Sequence, residues 1–173
     1  VTEWKKIQMR AMPVILRLSP NLKADLRSFA NLSLERPLIM GIVNVTPDSF
    51  SDGGAFFFEE QAIEQGKQLL KDGADILDLG GESTRPGAIP VSPDEETRRV
   101  VPVITELAKL GAIISVDTRN SCVMERALEA GASVLNDVTA LQGKRSLEVA
   151  ASSHASVILM HMRGSPSTMM NNT

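Results

Sequence analysis

The sequence predicts an α/β fold with a parallel sheet, and two observations support that prediction. Short apolar runs alternate with longer amphipathic stretches from Pro37 onward, which is the pattern of parallel strands separated by helices. Each apolar run ends on a polar residue or a polar loop, so polar side chains should collect at the carboxyl ends of the strands. In parallel α/β architectures that edge of the sheet holds the ligand site.

The predicted elements follow from the spacing of apolar residues. The five predicted strands are LIMGIVNV (residues 38–45), ADILDLG (74–80), AIISVD (112–117), ASVLND (132–137) and ASVILMH (155–161). Apolar residues recur every three or four positions in the stretches between them, which predicts helices over residues 59–71, 93–110, 121–130 and 146–153. Glycines follow three of these helices where a left-handed residue commonly ends a helix, at Gly73, Gly111 and Gly131.

Residues 1–37 lack this alternation and form a predicted N-terminal extension, separate from the α/β domain at residues 38–173. The extension contains Trp4 and a VILRL run at residues 14–18, followed by the turn-prone sequence SPN. Two interpretations are open: a hairpin that covers the floor of the α/β domain, or a linker from a preceding domain.

The composition narrows the class of partner. A chain of 173 residues with 43% apolar residues suffices for one domain with a buried core. Its net charge of −3 gives no basic field, so we expect neither nucleic acid nor an anionic membrane as a partner. A single cysteine excludes an internal disulfide and fits a reducing compartment. With no signal peptide and no apolar run of transmembrane length, the sequence predicts a cytoplasmic protein that binds a small solute.

The first strand runs into a dense polar loop, GIVNVTPDSFSDGG, at residues 41–54. Asn44, Thr46 and Asp48 offer oxygen ligands there, and the closing glycine pair exposes backbone N–H groups. This combination suits a hard cation together with its anion.

The second strand leads into GGESTRPG at residues 80–87. Its glycines let the backbone approach a ligand, Thr84 offers a hydroxyl, and Arg85 offers a planar fork for phosphate or carboxylate. Pro86 stiffens the loop. An ordinary βα turn with a solvated arginine is the alternative interpretation.

Asp117 and Asn136 end the third and fourth strands, so a carboxylate and a carboxamide can stand side by side. Together they match the edge of a 2-amino-4-oxo heterocycle such as a pterin or guanine, although either alone is more often a capping or turn residue. Asp78 is either a buried structural carboxylate or a ligand contact, and Asp137 is predicted to turn away as a cap. Met160, near the end of the fifth strand, either lies against a flat ring or packs in the core.

Five motifs, in this order and spacing, resemble the dihydropteroate synthase family: GIVNVTPDSFSDGG, DLGGESTRPGA, SVDT, LND and LMHMRGSP. The resemblance spans about residues 37–170. It implies a TIM barrel that condenses 6-hydroxymethyl-7,8-dihydropterin pyrophosphate with para-aminobenzoate and releases pyrophosphate, using Mg²⁺. It also implies a transferase of folate biosynthesis that sulfonamides inhibit and that forms a homodimer when complete.

The resemblance assigns catalytic roles to three residues. Asn44 would hold magnesium and pyrophosphate, Arg85 would bind the pyrophosphate-bearing substrate together with Thr84, and Asp117 would grip the pterin edge. In the family mechanism pyrophosphate leaves first and the amine then attacks the exposed cationic methylene, while closed loops exclude water.

The remaining implied contacts are with the two organic substrates. Asn136 would grip the pterin beside Asp117, with Met160 next to the ring. Phe50 in the first loop and Pro86 in the second would help to form the aminobenzoate pocket.

The sequence departs from the family in its length, because a TIM barrel has eight strands and typically about 250 residues. We therefore expect the chain to be a fragment that lacks the last three βα units. Two alternatives to an active synthase are open: a catalytically inactive pterin-binding fragment, and a pterin-dependent methyltransferase. The ESTRPG loop argues against the methyltransferase, since a methyl-transfer site has no pyrophosphate to hold.

Overall fold

A computed structural model describes residues 28–46, 55–82 and 90–161, with the side chains of the second range described from Phe58 onward. The strands are β1 (Ser28–Phe29), β2 (Leu32–Ser33), β3 (Met40–Asn44), β4 (Ile76–Gly80), β5 (Ile113–Asp117), β6 (Val134–Asp137) and β7 (Ser156–Leu159). The helices are α1 (Ala55–Lys71), α2 (Pro93–Ala108), α3 (Ser121–Ala130) and α4 (Ser146–Ser152). No helix in these ranges is long and apolar enough to cross a membrane.

The centre of the molecule is a five-stranded parallel sheet with the order β3-β4-β5-β6-β7. This confirms the predicted α/β class, and the strands coincide with the five predicted apolar runs. Strand order follows chain order without a reversal, as it does in successive units of a (β/α) barrel, whereas a doubly wound sheet reverses direction at a switch point.

The hydrophobic core lies between one face of this sheet and the helices. Val43, Leu79, Val116 and Leu135 are fully buried and form one row across four neighbouring strands. They pack in one cluster with apolar residues of the two central helices: Val100, Val103, Ile104 and Leu107 from α2, and Val123, Met124 and Ala127 from α3. The core therefore fixes the strands from one side and leaves the other side of the sheet for different residues.

The helix boundaries follow local signals. The side chain of Ser92 accepts from the N–H of Glu95 at 3.3 Å, and Pro93 begins α2. Gly131 ends α3 in the left-handed region at φ 113°, and a Cβ there would lie 2.8 Å from the Cβ of Ala108. Helix α1 begins at Ala55, four residues before the predicted start at 59. The prediction missed this turn because three consecutive phenylalanines have no helical period.

Residues 28–33 form a small antiparallel hairpin, β1 with β2. Ala30 and Asn31 form its turn with φ of 50° and 63°, as a two-residue hairpin turn requires. The N–H of Ala30 donates to the hydroxyl of Ser156 at 3.1 Å, at the amino end of β7. A hairpin is thus present in part of the extension, while Trp4 and the run at residues 14–18 lie outside the described residues.

Candidate active site

The register of the parallel strands brings the predicted polar residues into one row. Asn44 is the partner of Gly80, Gly80 of Asp117, and Asp117 of Asn136. The row lies at the carboxyl ends of β3 to β6, as the sequence predicts. Neighbouring strands are about 4.8 Å apart, so Asp117 and Asn136 are adjacent, and Asn44 stands about two strand spacings from Asp117 across a glycine. The arrangement leaves space above Gly80 between a carboxamide and a carboxylate.

Asp117 is half-buried and lies near several other carboxyl groups. Burial is the main cause that raises the pKa of Asp117 to about 7, and the negative charges of Asp78, Glu96, Asp137 and Glu82 add to it. A ligand that presents N–H donors to this carboxyl would favour its ionised form and so be bound more tightly as Asp117 loses its proton.

Asn136 is oriented by Asp78. Its side-chain N–H donates to Oδ2 of Asp78 at 3.1 Å, across the intervening strand β5. Because this bond fixes which end of the amide faces Asp78, the carboxamide oxygen is left as an acceptor on the other side. The interpretation of Asp78 as a buried, hydrogen-bonded carboxylate therefore agrees with the geometry.

Two buried oxygens beneath this row lack hydrogen-bond partners among the described residues: Oδ1 of Asp78 and Oγ of Ser115. Asp78 and Ser115 are register partners on adjacent strands. Buried polar atoms are nearly always paired, so these two neighbouring oxygens can form hydrogen bonds with a ligand group that reaches them. Ser115 was not among the predicted site residues, although alternation in IISVD puts it on the same face as Asp117.

Asp137 faces away from the row, as predicted. It is fully buried, and its Oδ1 accepts from the N–H and the hydroxyl of Thr139 at 2.7 and 2.8 Å. Its Oδ2 accepts from the N–H of Leu141 at 2.9 Å. Ala140 and Leu141 adopt left-handed φ angles of 55° and 59°, so Asp137 holds the unusual turn that follows β6.

A second polar cluster, none of whose members was a predicted site residue, lies between the ends of β4 and β5. Glu82 accepts from Arg119 at 2.9 Å, and Glu96 accepts from Asn120 at 2.7 Å. Burial raises the pKa of Glu96, which is 1% exposed. A local signal for Glu96 exists, because it falls on the apolar stripe of α2 together with Val100.

The other predicted site residues are divided between described and undescribed parts of the chain. Met160 is exposed, and its N–H donates to the carbonyl of Asp137 at 3.2 Å. Alternation along β7 places Met160 on the face of Ile158, the register partner of Asn136. The remaining four lie outside the described residues: Phe50, Thr84, Arg85 and Pro86.

The donor set at this rim is compatible with magnesium bound mainly through a substrate. Asn44 is exposed at its strand end and carries a neutral oxygen donor of the kind Mg²⁺ accepts. Within the described ranges no group of three or more His, Cys, Asp or Glu residues could hold a metal ion. Mg²⁺ commonly binds through one or two protein oxygens plus substrate phosphates, which is the arrangement these residues allow.

Comparison with known proteins gives one family for most of the chain. A family model described as pterin binding enzyme matches residues 40–173. The chain is 52% identical over 144 residues to a dihydropteroate synthase of Neisseria meningitidis serogroup B, covering 82% of this chain and 50% of the relative. It is 50% identical over 131 residues to the Bacillus subtilis dihydropteroate synthase, covering 75% and 46%. The chain thus spans about half the length of the curated relatives it matches.

Solved structures agree with this result. A Xanthomonas albilineans dihydropteroate synthase with 4-aminobenzoic acid superposes with a TM-score of 0.74 at 53% identity, covering 77% of this chain and 49% of that one. A Yersinia pestis dihydropteroate synthase in complex with a sulfonamide drug superposes with a TM-score of 0.75 at 48% identity, covering 82% and 52%. These matches agree with the (β/α) barrel arrangement that the sequential strand order indicates.

Proposed function

Because the chain belongs to the pterin-binding enzyme family, we propose that it serves as a dihydropteroate synthase in folate biosynthesis. The proposed reaction condenses 6-hydroxymethyl-7,8-dihydropterin pyrophosphate with para-aminobenzoate and releases pyrophosphate. Relatives about half identical to this chain have that name, and the matched structures were solved with 4-aminobenzoic acid or a sulfonamide.

The observation that supports this proposal best is the pair formed by Asp117 and Asn136 in one register row. A pterin presents N–H donors and a ring acceptor along one edge, and a carboxylate beside a carboxamide complements that edge. Asp78 fixes the Asn136 amide before a ligand arrives, so little orientational freedom is lost on binding. Asp117 accepts from the ring N–H groups in its ionised form, and Met160 lies beside the ring.

In this proposal the leaving diphosphate binds at the β3 end of the row, beside Asn44. Asn44 is the residue that would hold magnesium there, and a bound Mg²⁺ supplies positive charge that stabilises a leaving oxyanion. Thr84 and Arg85, in the segment that follows β4, bind the diphosphate in this proposal. Phe50 and Pro86 border the aminobenzoate and exclude water from the reacting methylene.

One substitution tests the pterin site directly. Asp117→Ala removes the charged acceptor for the ring N–H groups, so we expect at least a hundredfold loss of affinity for 6-hydroxymethyl-7,8-dihydropterin pyrophosphate, measured by calorimetry. Asp94→Ala, which removes an exposed carboxylate from the first turn of α2, is the matched control and should bind normally. Equal affinity in the Asp117→Ala variant and the unsubstituted chain would contradict the proposed role.

A second candidate function is an inactive pterin-binding half-site, because the pairing of Asp117 with Asn136 could bind a pterin without turnover. Formation of dihydropteroate from the two substrates by the chain alone would exclude this candidate. Pterin binding without product formation would support it. A third outcome, binding of a corrinoid in an absorbance titration, would instead favour the methyltransferase.

Three further properties belong to the same proposal. We infer that the protein is cytoplasmic, acts on small molecules without nucleic acid or membrane partners, and forms a homodimer when complete. Sulfonamides should compete with aminobenzoate, because they are bound by a relative 48% identical to this chain. Sedimentation measurements at several protein concentrations test the dimer, and inhibition kinetics test the competition.

A further inference from the structure

The segment that begins at Asp117 is tied down by each of its next three residues. The N–H of Thr118 donates to the carbonyl of Asn136 at 3.0 Å. Arg119 donates to Oε1 of Glu82 at 2.9 Å, and the side chain of Asn120 donates to Oε2 of Glu96 at 2.7 Å. These bonds lead to β6, to the end of β4 and to α2. Asp117 therefore projects from a segment whose position depends on three separate elements.

Glu82 is itself firmly placed, and its side chain is only 11% exposed. The oxygen that binds Arg119 also accepts from the N–H of Val91 at 3.1 Å. The carbonyl of Gly81, one residue earlier, accepts from Arg99 at 3.0 Å. A Cβ at Gly81 would lie 2.8 Å from Cγ1 of Val100, so the backbone here is packed directly against α2. Arg119 is therefore paired with a carboxylate whose own position is fixed by the backbone of Val91 and by packing against α2.

We propose that Glu82 is a positioning residue which, through Arg119, holds Asp117 at the place where it meets the ligand beside Asn136. The inference depends on the proposed pterin site and adds to it a pair of residues that touch no ligand. The side chain of Arg119 is 40% exposed and could move into solvent without Glu82. The ion pair can therefore be removed without disrupting the hydrophobic core.

Positioning and plain electrostatics predict opposite outcomes for Glu82. The negative charges of four carboxyl groups act on Asp117: those of Asp78, Glu96, Asp137 and Glu82. Removing the charge of Glu82 alone takes away one repulsion, which favours ionised Asp117 and should strengthen binding of ring N–H donors. Removing the ion pair between Glu82 and Arg119 should weaken binding, because residues 117–120 would shift and misplace the Asp117 carboxylate.

The experiment measures calorimetric affinity for 6-hydroxymethyl-7,8-dihydropterin pyrophosphate in the full chain and its variants. Glu82→Gln keeps an oxygen for the N–H of Val91 but loses the charge that binds Arg119, and Arg119→Gln removes the other partner. We expect each substitution to weaken binding about tenfold. The double variant should bind with the same affinity as either single variant, because both substitutions remove the same ion pair. Arg119→Lys, which keeps the charge without the planar fork, should recover part of the loss.

Arg126→Gln is the matched control, since Arg126 pairs with Glu129 on the exposed side of α3 and should leave binding unchanged. Thermal melting of each variant without ligand shows whether a loss of affinity comes from the missing ion pair or from unfolding of the protein. If the unsubstituted chain binds but Glu82→Gln binds equally or more tightly, the positioning role is overturned and the pterin site stands. If the Glu82→Gln variant does not fold, Arg119→Lys decides instead, because it keeps the positive charge and changes only the geometry of the ion pair. Affinity equal to that of the unsubstituted chain would then overturn the positioning role. If the unsubstituted chain fails to bind, the proposed function falls and this inference with it.

Discussion

The two faces of the central sheet are built from alternate residues of the same strands, yet one face forms the hydrophobic core and the other carries the polar candidate site. On the helix side, Val43, Leu79, Val116 and Leu135 form an apolar row with no exposed surface. On the other side the neighbouring row consists of Asn44, Gly80, Asp117 and Asn136. Alternation with a period of two along each strand is thus enough to place stabilising residues on one face of the sheet and ligand-binding residues on the other.

The polar face reduces stability in a way that the apolar face does not. Asp78 and Ser115 each keep a buried oxygen without a partner among the described residues, and Asp117 sits among carboxylates that raise its pKa. Such groups are destabilising until a ligand satisfies them, which is why binding sites are often less stable than they could be. Substitutions on the two faces should therefore change the free energy of unfolding by different amounts and even in different directions.

The largest effect is expected on the apolar face. Leu79→Ala removes a fully buried side chain from the core cluster and should lower the free energy of unfolding by about 3–4 kcal/mol. Urea unfolding followed by circular dichroism measures it. A loss below about 1 kcal/mol would mean that the core does not depend on this row.

An intermediate effect of opposite sign is expected at Asp117. The pKa is raised in the folded state from 3.8 to about 7, so the folded state binds more protons and stability falls as pH rises between those values. Asp117→Asn has no such carboxyl and should be more stable than the unsubstituted chain at pH 8, by on the order of 1–3 kcal/mol. The difference should vanish near pH 3. Unfolding titrations at both pH values measure it, and a destabilised variant at pH 8 would contradict the raised pKa.

The smallest effect is expected at Ser115, whose hydroxyl oxygen is buried without a described partner. Ser115→Ala should change the free energy of unfolding by less than about 1 kcal/mol, because no hydrogen bond to a described residue is lost. The adjacent Val116→Ala, on the apolar face, should cost about 2 kcal/mol and serves as the internal comparison. Equal losses at the two positions would remove the distinction between the faces.

The sequence was sufficient for the five strands of the central sheet, for three of the four helix starts and for the polar row. Those features depend on local sequence patterns. An apolar run predicts a strand, and the polar residue at its end is predicted to lie at the carboxyl edge of the sheet. The start of α1 was missed because its first turn is uniformly apolar and has no period. The roles proposed for Phe50, Thr84, Arg85 and Pro86 stay predictions, since these residues lie outside the described ranges.

The contacts that the sequence could not supply are those between distant elements. Glu82 and Arg119 are 37 positions apart, and Asp78 and Asn136 are 58 apart. Whether two such side chains meet depends on strand register and on the path of a loop, which no local propensity encodes. Glu96 is different, because a carboxyl on the apolar stripe of an amphipathic helix is a visible anomaly that indicates a buried polar contact.

The small hairpin at residues 28–33 has a consequence for the order in which the chain folds. Its bond from Ala30 to Ser156 joins positions 126 apart, nearly the full described length. Closing so long a loop is entropically costly until the intervening strands have assembled, so we expect this contact to form late. We therefore expect the first-synthesised part of the described chain to dock last, and its contact with Ser156 to slow unfolding more than it speeds folding.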